Sequence, residues 1–525
     1  MISGRASGLF RAGVVAMALL AGSGLFKLLF SRPDFLLPFV AIALPAVAGL
    51  IIWSTSKRSG LPLLPVFLAQ QALIYGLPLA VDNPTLMNVQ SGVIVASGFS
   101  VGLFLTCCVI GWYGGHQMTV SQPSKANLEV SGAGSATDRC LTLAYLLLGI
   151  ALAFQLLSRS GVIYMLLPGG LSGLFPVIRT FATAAGMLGA LLGGLAVGGR
   201  PDHARTWIYW GLLAAILVLS VADVLLSGAS GLVLSAAVGL ALGQRKIPLV
   251  FLAVAFAVVG FLNQGKFVMR ERYWSEDSNT TQIAVSRIPS FFLEWAGAST
   301  SLLMGGGTAD NHVSVQGAED DGQSILERVN NLQNIVFVIE SIEQRNIPLL
   351  LGETYSLIPP LFVPRFLWNE KPRAHEGQIL LNLHFGRQAT VEQTEQTYIA
   401  WGLLPEAVGN FGAWFGPVIL GLVVGWGMGW LEVVSLRKRL FSVEGMLLGG
   451  LLLIVAGSYE QVASIFLTAT FQFLVAVTIG GFILRAWFGG GSSRPRNRRR
   501  KSRSRGARIV VAQGPSGNQH DDSES

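Results

Sequence analysis

The run AGVVAMALLAGSGLFKLLF, residues 12–30, carries one charged side chain, Lys27. An α-helix of about 20 apolar residues crosses the hydrocarbon core of a bilayer. No small-residue cleavage site clearly follows this run, so we interpret it as an uncleaved first membrane helix and not as a signal peptide. Runs of the same kind recur along the chain, and they decide the fold.

Composition leads to the same fold class. Of the 525 residues, 51% are hydrophobic and 13% are charged, and the mean hydropathy is +0.55. A chain of this length and composition is too apolar for a soluble globule. We therefore predict an all-α, polytopic membrane protein with about 12 transmembrane helices. Their approximate bounds are 12–30, 35–54, 61–80, 92–112, 140–157, 178–198, 207–226, 228–243, 247–264, 412–434, 443–457 and 462–487.

The distribution of Lys and Arg predicts the orientation of these helices. Basic residues are retained on the cytoplasmic side of a membrane, and pairs such as Lys57/Arg58 and Arg245/Lys246 lie on the same side as both termini. The termini are therefore predicted to be cytoplasmic, and one large loop is predicted to be extracytoplasmic. The predicted order is nine spans in residues 1–264, the large loop in 265–411, three spans in 412–488, and a basic disordered tail in 489–525.

Neither the net charge nor the cysteines indicate nucleic-acid binding or a metal site. The net charge is +8, but nine Lys and Arg residues lie between Arg494 and Arg508, after the last span. A basic segment in that position anchors a protein to anionic lipid. The three cysteines, Cys107, Cys108 and Cys140, lie within or at the ends of apolar runs without metal-ligand partners. We expect no nucleic-acid partner, no metal and no cofactor.

The loop contains the stretch GETYSLIPPLFVPRFLWNEK, residues 352–371. Arg365, Lys371 and Arg373 lie within nine residues of one another. They suit a diphosphate clamp, because guanidinium groups bind phosphate oxygens bidentately and stay charged. Contact with lipid headgroups is the alternative, although positive charge is normally depleted outside the cytoplasm. Arg270, Arg328 and Tyr355 are further candidate substrate contacts.

Three residues in or beside the same loop are candidate general bases. Glu353 follows a glycine, Glu406 precedes the tenth span, and His375 follows the cationic cluster. A carboxylate or imidazole at the membrane surface can remove a proton from a hydroxyl nucleophile. The alternatives are that either carboxylate caps a helix or pairs with an Arg, and that the histidine is simply solvated. We favour Glu353, because it lies about a dozen residues before Arg365.

These segments also carry a resemblance to a known family. In chain order they are RVNNL (328–332), GETY (352–355), PRFLW (364–368) with Lys371-Pro372, and Pro405-Glu406 with NFG (410–412). This order resembles that of the Wzy-type oligosaccharide repeat-unit polymerases, which make the O-antigens and exopolysaccharides of bacterial envelopes. The resemblance covers about residues 266–416. The Arg-x10-Gly spacing of some polymerases is not met, because Gly377 lies one position too far from Arg365.

The resemblance implies a metal-independent membrane glycosyltransferase on the outer side of the bacterial cytoplasmic membrane. Its substrate would be an undecaprenyl-diphosphate-linked oligosaccharide, polymerised by transfer onto another lipid-linked repeat unit. A flippase and a chain-length regulator are the expected partners. Arg365, Lys371 and Arg373 would hold the diphosphate, and one of the three candidate bases would accept the acceptor's proton.

Two alternative functions fit the same residues. An O-antigen ligase-like transferase uses the same donor and differs in its acceptor. A lipid-linked oligosaccharide flippase or export component could bind the diphosphate without chemistry. A flippase should carry charge along a central cavity through the spans, whereas here the charge gathers in one loop.

Overall fold

The computed structural model describes residues 6–56, 61–81, 83–118, 135–166, 175–199, 203–224, 226–244, 246–273, 283–304, 329–363, 368, 370–396, 399–436, 448–452, 454–455 and 460–488. Every regular element within these ranges is helical, which confirms the all-α prediction. Residues 1–481 form one compact unit. Residues 482–525 form a second unit, of which 482–488 are described.

The helices before residue 305 are α1 (Ala6–Ser31), α2 (Leu36–Thr55), α3 (Leu63–Ala80), α4 (Pro84–Met87), α5 (Ser91–Met118), α6 (Ser135–Arg159), α7 (Val162–Leu166), α8 (Phe175–Gly199), α9 (His203–Val221), α10 (Leu226–Gln244), α11 (Leu249–Tyr273) and α12 (Ile288–Leu303). Those after it are α13 (Leu332–Glu343), α14 (Glu353–Ser356), α15 (Ile358–Leu361), α16 (Glu376–His384), α17 (Val391–Gln396), α18 (Leu403–Ser435) and α19 (Ala463–Phe488).

Eight helices in the described ranges are long and apolar enough to cross a membrane. This indicates a multi-pass membrane protein. Three shorter apolar helices, Val15–Ser31, Arg205–Val221 and Gly228–Gln244, overlap further predicted spans. The predicted span 443–457 lies mostly outside the described residues, and the tail 489–525 lies entirely outside them. The number of twelve spans stays a prediction.

Glycines allow α5 and α18 to pack at backbone distance. A Cβ atom added at Gly421, Gly425 or Gly429 would collide with the carbonyl oxygen of Phe104, Cys108 or Trp112, respectively. Small residues spaced four apart let two helices approach this closely. Glycines at every fourth position of an apolar helix, as at Gly421, Gly425 and Gly429, predict such close packing, and the structure confirms it.

Helix α18 is folded sharply at Gly412. This glycine has φ +82° and ψ 169°, which no helix accommodates. A Cβ atom at Gly416 would collide with the carbonyl oxygen of Ala407, nine residues earlier. In a straight helix these residues would be about 13 Å apart. Residues 403–411, which we call the folded-back helix, therefore lie against the start of the long span that follows.

The loop is attached to the helix ends through α13. The spacing of Ile325, Val329, Leu332, Val336 and Ile339 predicts an amphipathic helix from Ser324 to Gln344, with Arg328, Asn331 and Asn334 on another face. Residues 329–331 are described and are not helical, so the helix begins at Leu332 and the prediction is wrong for these three residues. Both asparagines are buried. Asn331 donates to the hydroxyl of Tyr75 on α3 at 3.0 Å, and Asn334 donates to the carbonyl oxygen of Trp401 at 2.9 Å. The polar face is buried because these hydrogen bonds replace those to water.

Candidate functional site

Two of the sequence segments named above are joined directly. The amides of Leu350 and Leu351 donate to the carbonyl oxygens of Gly409 and Asn410 at 3.1 and 3.0 Å. The Gly352 amide donates to the side-chain oxygen of Asn410 at 3.0 Å. Gly352 has φ +96°, a left-handed conformation that glycine adopts without strain. The turn that begins α14 is thereby fixed to the folded-back helix, 58 residues further along the chain.

Side chains continue this junction. The Asn410 amide nitrogen donates to the Thr354 hydroxyl at 2.9 Å and to the Glu406 carbonyl oxygen at 2.8 Å. The ring of Tyr355 stacks on that of Phe411, with centroids 5.6 Å apart and planes at 20°. Thr354, Glu406 and Asn410 are all fully buried. The GETY and Pro-Glu…NFG segments thus form one polar core covered by an aromatic pair.

Glu406 lies at the centre of this core. Its Oε2 accepts a hydrogen bond from the Ala463 amide, the first residue of α19, at 2.5 Å. Negative charge is stabilised at a helix N terminus, where free N–H groups and the helix dipole converge. The Thr354 hydroxyl lies beside the carboxyl group, yet Oε1 accepts no hydrogen bond of normal geometry from the described residues. One oxygen of Glu406 therefore caps helix α19, as the helix-capping alternative predicted. The other oxygen can still accept a hydrogen bond.

Tyr355 is half-buried against this carboxylate. Burial raises the pKa of its hydroxyl well above its usual value, and the negative charge of Glu406 raises it further. The phenol therefore stays protonated at any physiological pH. It can donate a hydrogen bond to a ligand and cannot act as a base.

The preferred base, Glu353, is exposed and occupies the first position of α14. Its neighbour Thr354 contacts the core, so Glu353 lies at the surface of the same cluster that buries Glu406. A ligand arriving from solvent has direct access to Glu353. It has no such access to Glu406, whose exposed fraction is 0%.

His375 belongs to the same cluster. Ser464 at the start of α19 donates to the carbonyl oxygen of Ala374 at 2.8 Å, and a Cβ atom at Gly377 would contact Ser464 and Thr354. These contacts hold the residues beside His375 against the core. Burial lowers the pKa of His375 below its usual range, so the ring is neutral at pH 7 and can accept a proton.

The two described cations of the predicted clamp have intramolecular partners. Lys371 donates to the carbonyl oxygens of Leu361 and Val363 at 2.9 and 2.7 Å. Arg373 forms ion pairs with Glu376, at 3.2 Å, and with Glu395. Lys371 therefore lies against residues 361 and 363, and the two carboxylates offset the charge of Arg373.

Two other predicted contacts, Arg365 and Arg328, lie outside the described residues. Arg270 is half-buried on the last turn of α11, whose main neighbour is α12.

Sequence reasoning missed two charged residues. Arg387 lies over the rings of Phe337 and Trp401, 5.4 and 5.6 Å from their centroids, and donates to Asn334 at 2.7 Å. Glu432 is fully buried within the apolar part of α18. A signal for Glu432 was present, since an isolated carboxylate inside an apolar helix is costly and needs a partner. Arg387 had no comparable signal.

No group of three or more His, Cys, Asp or Glu side chains that could hold a metal ion occurs in the described part of the chain. Comparisons with models of protein families, with curated proteins and with solved structures gave no match.

Proposed function

We propose that this protein is a membrane glycosyltransferase that polymerises polyprenyl-diphosphate-linked oligosaccharide repeat units into O-antigen or exopolysaccharide. The observation that carries the proposal is the junction of Gly352–Tyr355 with Glu406–Phe411. Segments that suggest the polymerase family in sequence form one hydrogen-bonded core. The proposed location is the extracytoplasmic side of a bacterial cytoplasmic membrane.

In the proposed reaction, an acceptor hydroxyl oxygen attacks the anomeric carbon of the donor sugar. The bond from that carbon to the diphosphate oxygen breaks, and the diphosphate leaves with the electron pair. It needs no proton to leave, so a general acid is dispensable. Arg365 is proposed to stabilise the charge that grows on the diphosphate. Lys371 and Arg373 are proposed to add positive charge to the same diphosphate contact, besides their own partners within the loop.

The acceptor's proton is proposed to pass to Glu353. Exposure and position favour this residue over Glu406, which acts as a positioning residue beneath it. His375 is the second choice, because its neutral ring can also accept a proton. Tyr355, held as a phenol, is proposed to donate a hydrogen bond to the sugar or the diphosphate.

The test uses the purified full chain in detergent with a defined lipid-diphosphate-linked repeat unit. A ladder of product lengths supports the polymerase. Transfer only to an added lipid core or protein acceptor supports the ligase-like alternative. Lipid translocation in proteoliposomes without any product supports the flippase. A ladder that persists in the presence of a metal chelator would support metal independence.

Substitution of Arg365 tests the diphosphate contact. Arg365→Ala should lower transfer about 100-fold or more, as removal of a charge-stabilising donor does elsewhere, with normal protein abundance in the membrane. Arg365→Lys should rescue poorly, because an ammonium group cannot reproduce the bidentate geometry. Normal polymer from Arg365→Ala would exclude the clamp.

A further inference from the structure

A cavity lies beneath the folded-back helix. Its volume is about 50 Å³. Its walls come from α3, α5, the parts of α18 before and after Gly412, residue 455 and α19, and they include Gln71, Tyr75, Leu403, Val424, Met428 and Phe466. Residues 403 and 424 share this cavity because the chain folds back at Gly412.

The N terminus of the folded-back helix meets this cavity without a cap. Gly402 at the N-cap position has no side chain to accept a hydrogen bond. The amides of Leu403 and Leu404 donate no hydrogen bond to the described residues, although Leu404 is 1% exposed. A buried helix end without such partners is rare, because each unpaired N–H group costs free energy.

Gln71 provides a second, independent indication that the cavity binds a polar ligand. Its side chain is 5% exposed and lines the cavity, and it makes no hydrogen bond to the described part of the chain. Tyr75 also lines the cavity. Its hydroxyl accepts a hydrogen bond from Asn331, which leaves its own proton free to donate. Residues that carry unpaired backbone amides, a carboxamide and a phenol therefore line one space among mostly apolar walls.

The volume of the cavity and the chemistry of its lining residues indicate which ligand it can hold. One water molecule needs about 10–15 Å³ of such volume and two to four polar partners, so a few waters fit. An ion would lose its hydration among mostly apolar walls and would find no charged side chain among the lining residues. We infer that the cavity holds ordered water, which caps the buried N terminus of the folded-back helix.

This water lies directly below the candidate site. Leu403 and Glu406 are one helical turn apart on the folded-back helix, and Phe466 and Ala463 are one turn apart on α19. Leu403 and Phe466 line the cavity, while Glu406 and Ala463 are hydrogen-bonded to each other. The proposed water therefore lies one helical turn away from the buried core of the candidate site. The inference does not depend on the reaction proposed above.

Hydroxyl-radical footprinting by X-ray radiolysis tests the inference, because radicals formed from a bound water oxidise the side chain beside it. Met428 lines the cavity and is 4% exposed, whereas Met269 is 0% exposed and packs in a core outside it. In the full-length protein, Met428 should be oxidised several-fold faster than Met269. Equal protection of the two methionines would overturn the inference.

The Tm of Gln71→Leu provides a second test, because it should change in opposite directions for a hydrated and a dry cavity. In a hydrated cavity the substitution removes a water partner, so oxidation of Met428 should fall and the Tm should decrease. In a dry cavity it removes an unpaired amide, so the Tm should increase and Met428 should stay protected. Val424→Ile, which reduces the volume without removing a polar group, should also lower the oxidation of Met428. A rise in Tm for both variants would exclude bound water.

Discussion

Helix α18 carries two fully buried glutamates, one in each arm of the helix, and their surroundings differ. Oε2 of Glu432 accepts from the indole nitrogens of Trp53 and Trp112 at 3.0 and 2.8 Å, and Oε1 accepts from the Leu64 amide at 2.9 Å. Glu406 accepts one hydrogen bond, from Ala463, on one oxygen. Both carboxylates meet the N terminus of a neighbouring helix. Only Glu432 is satisfied on both oxygens.

The difference separates a structural carboxylate from one that a ligand can influence. Glu432 joins α2, α3, α5 and α18 and has no access to solvent. Glu406 has a free oxygen beside Thr354 and Tyr355, directly below exposed Glu353. Burial alone therefore does not identify a functional carboxylate. Its remaining hydrogen-bonding capacity and its neighbours are the features that make Glu406 a candidate.

The largest effect is expected at Glu353, the exposed glutamate of the cluster that contains Glu406. Glu353→Gln should lower transfer about 100- to 10,000-fold, the usual contribution of a general base, without lowering the Tm or donor binding. Transfer can be followed with the defined lipid-linked repeat unit. Glu343→Gln, at another exposed glutamate of the loop, is the matched control and should be as active as the wild type. Normal polymerisation by Glu353→Gln would pass the role of base to His375 or Glu406.

The second effect concerns stability at the other carboxylate. Glu432→Gln should destabilise the protein by about 3 kcal/mol, because an amide nitrogen then faces donors that lose their charged acceptor. Thermal unfolding in detergent measures the change. Trp53→Phe, which removes one of the donors, should cost about 1 kcal/mol. A Tm for Glu432→Gln equal to that of the wild type would remove the distinction between the two glutamates.

The sequence predicted the apolar helices well, because hydrophobicity over about 20 residues is a local property. It also predicted the packing of α18, since three glycines spaced four apart leave room for a backbone. Both inferences need only neighbouring residues. The fold at Gly412 was not predicted, although the residue is a glycine, because its angles depend on contacts between Gly416 and Ala407 in three dimensions.

The candidate site was predicted in its segments but not in the environment of each residue. Glu353 and Glu406 were both candidate bases, and the sequence did not indicate that one is exposed and the other fully buried. Glu406 caps α19 by accepting a hydrogen bond from the Ala463 amide, 57 residues later. No local sequence pattern indicates this contact. Likewise, Lys371 and Arg373 were predicted to be parts of a diphosphate clamp, and the sequence did not indicate that each has partners within the loop.

A third and smaller effect is expected for Glu406→Gln. The amide oxygen can still accept from Ala463, so the loss is the charge at the N terminus of α19, about 1 kcal/mol. Transfer should fall less than tenfold, because Glu406 is proposed to position the core while Glu353 takes the proton. Tm and initial rate, measured on one preparation, separate the two contributions. Abolished transfer with an unchanged Tm would make Glu406 the base and reverse its contrast with Glu353.

The smallest effect is a pH dependence at His375. Above about pH 6.5 the ring is neutral in both the folded and the unfolded chain, so it contributes no change in stability. Because burial lowers the pKa of His375 in the folded protein, the unfolded chain binds the proton first as the pH falls. Stability is therefore lost between about pH 6.5 and the lowered pKa. His375→Gln, which keeps a hydrogen-bonding side chain beside Gln378, should remove this part of the acid sensitivity. The measurement is the difference in Tm between pH 7.5 and pH 5.5 for the wild type and the variant. Equal Tm differences for the wild type and the variant would show that folding does not lower the pKa of His375. His375 would then no longer be an alternative to Glu353 as the base.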